Sequence, residues 1–430
     1  MKRKINIYFL SFVLILCNFI ILNNVSYSQN INMPDIFGSS VKFTAKTGTS
    51  LYTLARSYSV SVDSIMAANK LNTTYINKGK TIIIPTVWIP PLRKENGIVL
   101  NLPERSIYLF KDYKVINVYP CAVGAPGRWQ TPTGSYKIAI KTIDPVWLPP
   151  EWAGIDHPVM PGPDNPLGDR WMGLSRPGYG LHATNAPNSI GSAVSHGCVR
   201  MYPENARKLY NQVKVGMPVE IVYETVKLGF SVNTGKYYIS VFPDIYYYGT
   251  NSFPVIIEKL TRLGLEKLVE EDVILKALKE KRGIPQPIIG SDYAIKFNNE
   301  LISLPMSPVI KDGQILVPVD LFKGLGFEIT YDEDTKLILL ANGFDSFTNI
   351  LNSNKGLFNG NLINLKYESL KAGNSIIVPL SLIKDFKFDY KIIGDRIVIT
   401  KPQEENTDET ENTDRHPETK TPQVKHSDGE

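Results

Sequence analysis

The strongest constraint on the fold is a succession of short apolar segments between Asn96 and Tyr223, each bounded by Gly, Pro or Asp. The segments "GIVLNLPERSIYLFK", "KVINVYPCAVG" and "GSYKIAIKT" combine β-branched and aromatic residues with turn signals, which is typical of strands in an all-β domain. A chain of 430 residues is too long for one ordinary core. We therefore expect a mainly-β domain over 95–223, with further domains on either side.

A long loop interrupts these strands with the sequence "DPVWLPPEWAGIDHPVMPGPDNPLGDRWMGL". A loop of this size in a compact domain is usually functional, often as a lid or a binding wall. Its tryptophans, Trp147, Trp152 and Trp171, could stack on a ligand, or they could fasten the loop to the core. The sequence leaves both interpretations open.

The N-terminus predicts export from the cell. A basic "MKRK" precedes an apolar run from Ile5 to Leu22, and "SYS" at 26–28 is a small-x-small cleavage site. This pattern predicts a signal peptide over 1–28 that is removed. The alternative is an uncleaved anchor, because the apolar run is just long enough to span a bilayer. Cys17 follows the large Leu16, which does not favour a lipoprotein site.

Export makes the small number of cysteines informative. Once the leader is removed, only Cys121 and Cys198 remain, whereas a secreted protein that relied on disulfides would carry more. The two could still pair with each other. Cys121 lies in the strand-like "INVYPCAVG" and is more simply explained as a core residue.

Residues 42–86 predict a small domain of two strands and two helices. Leu51, Leu54, Ala55 and Tyr58 follow helical spacing, Ser61 or Val62 opens a second helix, and "KTIIIP" ends the segment as a strand. This βααβ order and the segments "TGTSLYTLA", "AANKL" and "KGKTIIIP" resemble a LysM domain, a peptidoglycan-binding module. The resemblance implies a sugar-binding groove between each strand and the following helix, formed by Gly48, Thr49, Ser50 and Asn77.

The C-terminal half predicts a connector, a repeated unit and a tail. Residues 224–290 contain a strand pair and a helix-rich stretch, an extension of the mainly-β domain. Within 291–401, "LVPVDLFKGLGFEITYDEDTKLILL" is echoed by "IVPLSLIKDFKFDYKIIGDRIVIT", which predicts an α+β domain. It resembles the stalk-like N-terminal domain of copper amine oxidases. It contains no His or Cys, the residues that usually bind copper and other transition metals, so the resemblance implies no copper chemistry here. The acidic segment 402–430 lacks large apolar residues and should be disordered.

The reactive groups of the chain concentrate in "GLHATNAPNSIGSAVSHGCVRM". A cysteine nucleophile needs a nearby imidazole to accept its proton, and two are available. His196 is two residues from Cys198, so both would point to one face of an extended strand, whereas His182 would reach it across a turn. Gly197 suits a backbone that exposes N–H groups to an oxyanion. The alternatives are a zinc site, which lacks the usual ligand number and spacing, an inert buried cysteine and a redox thiol.

This segment resembles the signature of L,D-transpeptidase (YkuD-like) catalytic domains, a histidine followed at this distance by Ser-His-Gly-Cys-x-Arg. "YPCAVGAPGRWQTPTGSYKI" and "PGPDNPLGDRWMGL" fit the same family. The resemblance implies that Cys198 is the nucleophile and His182 its base, oriented by the backbone carbonyl just after it. The residue after His182 is Ala183, where the family commonly has Gly. A methyl group at this position would tighten the turn, so the role of the orienting carbonyl transfers less securely to this chain than the roles of Cys198 and His182. The resemblance further implies an oxyanion hole formed by the backbone N–H groups of Gly197 and Cys198, in a site shaped by Ser195, His196 and Arg200.

The implied function is peptidoglycan cross-linking without a cofactor or a metal. The cysteine would attack the L,D bond of a tetrapeptide stem, release D-Ala, and pass the acyl group to a neighbouring stem as a 3→3 cross-link; carbapenems would be inhibitors. An L,D-carboxypeptidase shares the acyl-enzyme, and a catalytically inactive wall-binding protein or a cysteine endopeptidase are further alternatives. The body of the chain, without leader and tail, carries a formal charge of +8. This charge suits binding to an anionic polymer such as a bacterial cell wall, although charge alone identifies no partner. We expect an exported monomer that binds stem peptides and glycan strands, not nucleic acid.

Overall fold

The computed structural model describes residues 33–91 and 94–401. The predicted signal peptide or anchor and the predicted acidic tail lie outside the described residues. Within the described residues, no helix is long and apolar enough to cross a membrane. The N-terminal domain consists of β1 (Phe37–Gly38), β2 (Val41–Thr44), β3 (Thr49–Ser50), α1 (Leu51–Tyr58), α2 (Val62–Asn69), β4 (Tyr75–Ile76), β5 (Thr81–Ile84) and β6 (Val87–Trp88).

Two serine caps determine where the helices of this domain begin. The side chain of Ser50 accepts a hydrogen bond from the N–H of Tyr52 at the start of α1. Ser61 accepts one from the N–H of Ser64 at the start of α2, so the predicted opening at Ser61 or Val62 is confirmed. Such caps satisfy N–H groups that have no partner within the helix. Asn69 then bonds both Ile65 and Ile83, which fastens α2 to β5.

The mainly-β domain is built from two sheets that share two long strands. Their core is apolar and includes Cys121, which is fully buried; both described cysteines, Cys121 and Cys198, are free thiols. In the first sheet, β10 pairs with β15, then β7, β8 and β9; in the second, the other half of β10 pairs with β11, then β12, β14 and β9. The elements are β7 (Gly97–Asn101), β8 (Ser106–Lys111), β9 (Lys114–Gly124), β10 (Gly134–Ile143), β11 (Arg170–Leu174), β12 (Gly180–His182), β13 (Ala193–Ser195), β14 (Val199–Met201), α3 (Pro203–Gln212) and β15 (Pro218–Val222).

A bidentate ion pair joins the N-terminal domain to this sheet domain. Arg56 of α1 contacts Glu204 of α3 through two N–H···O bonds of 2.7 and 2.8 Å. Ser59 donates to Asn205 beside it at 3.3 Å. The two side chains of the ion pair are partly exposed, so its effect is mainly to fix geometry rather than to stabilise strongly.

The extension packs on both of its neighbours. It consists of β16 (Val226–Ser231), β17 (Lys236–Val241), α4 (Phe253–Thr261), α5 (Glu271–Glu280) and β18 (Gln286–Ile289). The three strands form one sheet, and its apolar core continues into the C-terminal domain through Met306, Leu316 and Ile377. The extension is therefore not a loose linker.

The C-terminal domain has less helix than the expected α+β architecture. Each copy of the echo forms a strand, one short helical turn and a strand pair, and β22 and β29 of the two copies pair through Val317 and Val378. Only five residues of this domain form an α-helix, and the second copy has a 3₁₀ turn over Leu380–Lys384 in its place. The elements are β19 (Ala294–Phe297), β20 (Glu300–Ile302), β21 (Val309–Lys311), β22 (Gln314–Pro318), α6 (Asp320–Gly324), β23 (Glu328–Tyr331), β24 (Leu337–Ala341), β25 (Ser346–Ile350), β26 (Lys355–Phe358), β27 (Asn361–Asn364), β28 (Leu370–Ala372), β29 (Ser375–Pro379), β30 (Asp389–Ile393) and β31 (Arg396–Thr400).

A buried ion pair ties the extension to the sheet domain. Lys227 of β16 contacts Glu104, in the turn between β7 and β8, at 2.5 Å, and the two side chains are 3% and 5% exposed. Tyr108 donates to the same carboxylate and accepts from the lysine. Removing one partner leaves an uncompensated buried charge. We expect Lys227→Met to lower the free energy of unfolding by about 3 kcal/mol, measured by urea denaturation.

The matched control for this prediction is Arg262→Met. Arg262, the residue directly after α4, forms an ion pair with Glu258 of that helix, and both side chains are largely exposed. Such pairs contribute about 0.5 kcal/mol or less. Equal destabilisation by the two substitutions would contradict the importance of the buried pair.

Candidate active site

His182 occupies the last position of β12, a short strand between β11 and β14. It pairs with Trp171 on one side and with Arg200 on the other, so these three residues stand side by side across the sheet. The imidazole is buried, and its ring centroid lies 5.8 Å from that of Trp171. The sheet register therefore fixes the position of this histidine.

The tautomer of His182 follows from its hydrogen bond. Nδ1 lies 2.5 Å from the carbonyl oxygen of Ala183. A carbonyl only accepts, so Nδ1 carries the hydrogen and the lone pair of the neutral ring is on Nε2. Burial lowers the pKa of His182 to about 4, so the imidazole is neutral at pH 7 and able to accept a proton.

The alanine at position 183 is accommodated by a glycine across the loop. Gly168 has φ of +61°, and a Cβ on it would lie only 2.6 Å from the methyl group of Ala183. The space that Ala183 needs is thus present because residue 168 has no side chain. The methyl group does not displace the carbonyl that orients His182.

Cys198 lies immediately before β14 and is partly exposed. Its Sγ donates to the carbonyl oxygen of Gly178 at 3.3 Å. Burial raises the pKa of the thiol, while the N–H of Gly180 and the charge of Arg200 act in the opposite direction. The resting thiol is therefore protonated at neutral pH. Within the described residues, His182 and Cys198 do not form a hydrogen bond with each other. This is common in active sites without bound substrate.

The backbone turn at 195–198 differs from the predicted oxyanion hole in one respect. The N–H of Gly197 is already donated to Ser195 Oγ at 3.1 Å, and Ser195 Oγ donates to the carbonyl of Cys198. The N–H of Cys198 has no hydrogen-bond partner within the described residues. Of the two expected donors, only that of Cys198 is free to meet an oxyanion in this conformation.

The prediction that His196 and Cys198 share one face of an extended strand is wrong. Residues 196–198 form a bend, because Gly197 has φ of +109° and sits against the ring of Tyr179, where a Cβ would be 2.8 Å from a ring atom. The ring of His196 instead stacks on Trp152, with centroids 4.0 Å apart, and meets Trp129 edge-on at 4.5 Å. Trp152 thus fastens the long loop to the site.

The predicted glycan-binding residues lie at one exposed edge of the N-terminal domain. Thr49 and Ser50 form β3, which pairs with β4, and Asn77 follows β4. Gly48 lies against the side chain of Tyr75, a residue that is 52% exposed. Ser50 is occupied as a helix cap, so its hydroxyl has less freedom for a ligand than predicted.

Two polar residues of the site region were not singled out from the sequence. Asn165 is fully buried and donates to the carbonyls of Pro145, Val159 and Met160, which holds the long loop together. Thr131 is also buried, and its hydroxyl accepts a hydrogen bond from the N–H of Gly124. An Asn amid "PGPDNPLGD" looks like an ordinary turn residue, so local sequence offered no signal. Over residues 33–91 and 94–401, no cluster of three or more His, Cys, Asp or Glu is suited to hold a metal ion.

Comparison with known proteins identifies three families along the chain. The L,D-transpeptidase catalytic domain matches residues 95–221, the LysM domain residues 43–85 and the copper amine oxidase N-terminal domain residues 296–397. The three predicted resemblances are therefore confirmed. The solved structure of the catalytic domain of an L,D-transpeptidase from E. faecium is 24% identical and aligns over 30% of this chain and 98% of that chain, with a TM-score of 0.26.

Two relatives support the assignment to the L,D-transpeptidase family. The "Probable L,D-transpeptidase YbiS" of Escherichia coli (strain K12) is 31% identical over 248 residues, which are 54% of this chain and 80% of that relative. The "Probable L,D-transpeptidase ErfK/SrfK" of Salmonella typhimurium (strain LT2) is 30% identical over 243 residues, 54% of this chain and 77% of that relative. The chain belongs to the L,D-transpeptidase family. Its LysM and transpeptidase domains imply peptidoglycan binding and association with the cell wall.

Proposed function

We propose that the protein is an exported L,D-transpeptidase that forms 3→3 peptidoglycan cross-links through an acyl-enzyme on Cys198. The observation that carries the proposal is the state of His182. Its Nδ1–H is held by the carbonyl of Ala183, and its pKa of about 4 leaves Nε2 unprotonated at neutral pH. A protonated thiol on the neighbouring turn needs such a base.

In the first half-reaction, Nε2 of His182 accepts the thiol proton while Sγ of Cys198 attacks the carbonyl carbon of the third stem residue. The negative charge that develops on the carbonyl oxygen is stabilised by the free N–H of Cys198. The bond to D-Ala then breaks. The imidazolium returns its proton to the departing nitrogen, so D-Ala leaves with a neutral amino group and a thioester remains.

In the second half-reaction, the side-chain amine of a neighbouring stem attacks the thioester. His182 takes a proton from that amine and returns it to the sulfur as the C–S bond breaks. This gives a 3→3 cross-link and a free thiol. Water in place of the amine gives a tripeptide instead, which is the L,D-carboxypeptidase alternative.

The LysM domain would hold the enzyme on glycan strands. Gly48, Thr49 and Asn77 supply polar contacts at the exposed β3–β4 edge, and the exposed rings of Tyr52 and Tyr75 offer apolar faces for sugars. Neither a cofactor nor a metal enters this mechanism. We propose that the protein acts as a monomer.

The function is tested by incubating the full chain with a disaccharide-tetrapeptide and analysing the products by mass spectrometry. The proposal predicts a dimer that has lost one D-Ala. A tripeptide monomer without dimer would replace the proposal with the carboxypeptidase alternative. Unchanged tetrapeptide would favour a catalytically inactive wall-binding protein.

A further inference from the structure

Tyr246 comes from the extension, beyond the residues 95–221 that match the catalytic family, yet its ring lies in the core of the catalytic domain. It is 5% exposed and packs within the same apolar cluster as Leu181 and Val199. The two tyrosines that follow it in "IYYYG" behave differently, because Tyr247 and Tyr248 are 83% and 54% exposed. One tyrosine of three is therefore inserted beside the site.

The Tyr246 hydroxyl completes a buried hydrogen-bond network. It donates to the carbonyl of Gly124 at 2.9 Å and accepts from the N–H of Thr131 at 3.1 Å. The Thr131 hydroxyl accepts from the N–H of Gly124 at 2.8 Å and donates to the carbonyl of Gly197 at 2.9 Å. The network thus runs from the extension to the peptide group that precedes the nucleophile.

That last contact determines where the N–H of Cys198 points. The carbonyl of Gly197 and the N–H of Cys198 belong to one peptide unit, in which the two groups point in opposite directions when it is trans. The described residues contain no cis peptide bond. Because Thr131 holds the carbonyl from behind, the N–H is aimed to the other side, where it has no partner among the described residues.

Tyr246 is itself held in place by its own loop. Its N–H donates to the hydroxyl of Tyr223 at 2.7 Å, and that hydroxyl donates to Asp244 at 2.5 Å. Asp244 also accepts from the N–H of Gly249 at 2.6 Å, which closes the loop. The loop therefore presents the Tyr246 ring in one orientation.

We propose that Tyr246 is a positioning residue for acyl transfer, which acts through Thr131 to orient the N–H of Cys198 toward the oxyanion. The catalytic unit then extends past residue 223 to include 244–249. This inference rests on the proposed function, because it assumes that Cys198 is acylated.

Two reactions of the same thiol separate positioning from general damage. Acylation by a carbapenem passes through an oxyanion and needs the donor, whereas alkylation by iodoacetamide displaces iodide and forms no oxyanion. We expect Tyr246→Phe to slow acylation about 10- to 100-fold, since loss of an entire oxyanion donor costs about 100- to 1000-fold. Alkylation should stay within about twofold of the wild-type rate, because it forms no oxyanion and does not need the N–H donor. Both rates are measured by intact-protein mass spectrometry.

Matched variants test each step of the network. Tyr248→Phe removes a hydroxyl that bonds only the side chain of Gln130, which is partly exposed, and should leave both rates unchanged. Thr131→Val, which keeps the shape and loses the hydroxyl, should slow acylation at least as much as Tyr246→Phe, and Thr131→Ser should restore it.

Wild-type acylation rates in Tyr246→Phe and Thr131→Val, or an equal fall of acylation and alkylation, would overturn the inference. Failure of the wild-type protein to be acylated at all, with a thiol that iodoacetamide still alkylates, would overturn the proposed function along with it.

Discussion

Replacing Cys198 by serine is expected to abolish cross-linking, with a fall in rate of at least about 1000-fold. The hydroxyl of serine is far less acidic than a thiol, and His182, whose pKa is about 4, is too weak a base to deprotonate it. The geometry of the turn at 195–198 should be retained, because oxygen replaces sulfur at the same position. The rate is measured as dimer formation from a disaccharide-tetrapeptide.

The chain offers a control in its other described cysteine. Cys121 is fully buried in β9, where burial raises the pKa of its thiol. Cys121→Ala should cost stability through a small cavity but should still form dimer. Persistence of dimer formation in Cys198→Ser, or its loss in a folded Cys121→Ala protein, would contradict the assignment of the nucleophile.

Replacing His182 by glutamine is expected to lower the acylation rate at pH 7 by about 100- to 10,000-fold. The amide can still donate to the carbonyl of Ala183, but it offers no base for the thiol. The pH dependence is the sharper signature. In the wild type the base form of His182 prevails above its pKa of about 4, so the rate should stay level from pH 8 to 5 and fall as pH drops through about 4.

The variant should behave in the opposite way. Because burial raises the pKa of the Cys198 thiol, its rate should rise about tenfold per pH unit across the neutral range as the thiol itself ionises. His157→Gln is the control, since that ring is largely exposed and bonds only Asp156. A level profile in His182→Gln would show that another group is the base.

Local sequence predicted those parts of the fold that depend on neighbouring residues. The helices of the LysM domain begin at Leu51 and Val62, each directly after a serine whose side chain caps the first turn. The duplicated "VP" segments indicated the repeated unit of the C-terminal domain, although the short turn after each limited the helix. His182 and Cys198 could be selected because their chemistry and spacing are visible within one segment.

The remaining features depend on contacts between distant residues. Tyr246 reaches Gly124 across 122 positions, and Lys227 reaches Glu104 across 123, so no window of sequence contains either contact. His196 was misjudged because strand alternation does not hold where Gly197 turns the backbone. Ser195 was expected to shape the site, but only the folded turn shows that its hydroxyl occupies the N–H of Gly197.

The most direct test of Cys198 as the nucleophile is to trap the acyl-enzyme. The full chain is incubated with a disaccharide-tetrapeptide whose side-chain amine is acetylated, which blocks the acceptor, and is then quenched in acid, digested and mapped by mass spectrometry. We expect a disaccharide-tripeptide adduct on the peptide that carries Cys198, removable by hydroxylamine, and no adduct on Cys121. Cross-linking activity with the normal substrate but no adduct on Cys198 in this experiment would contradict this assignment.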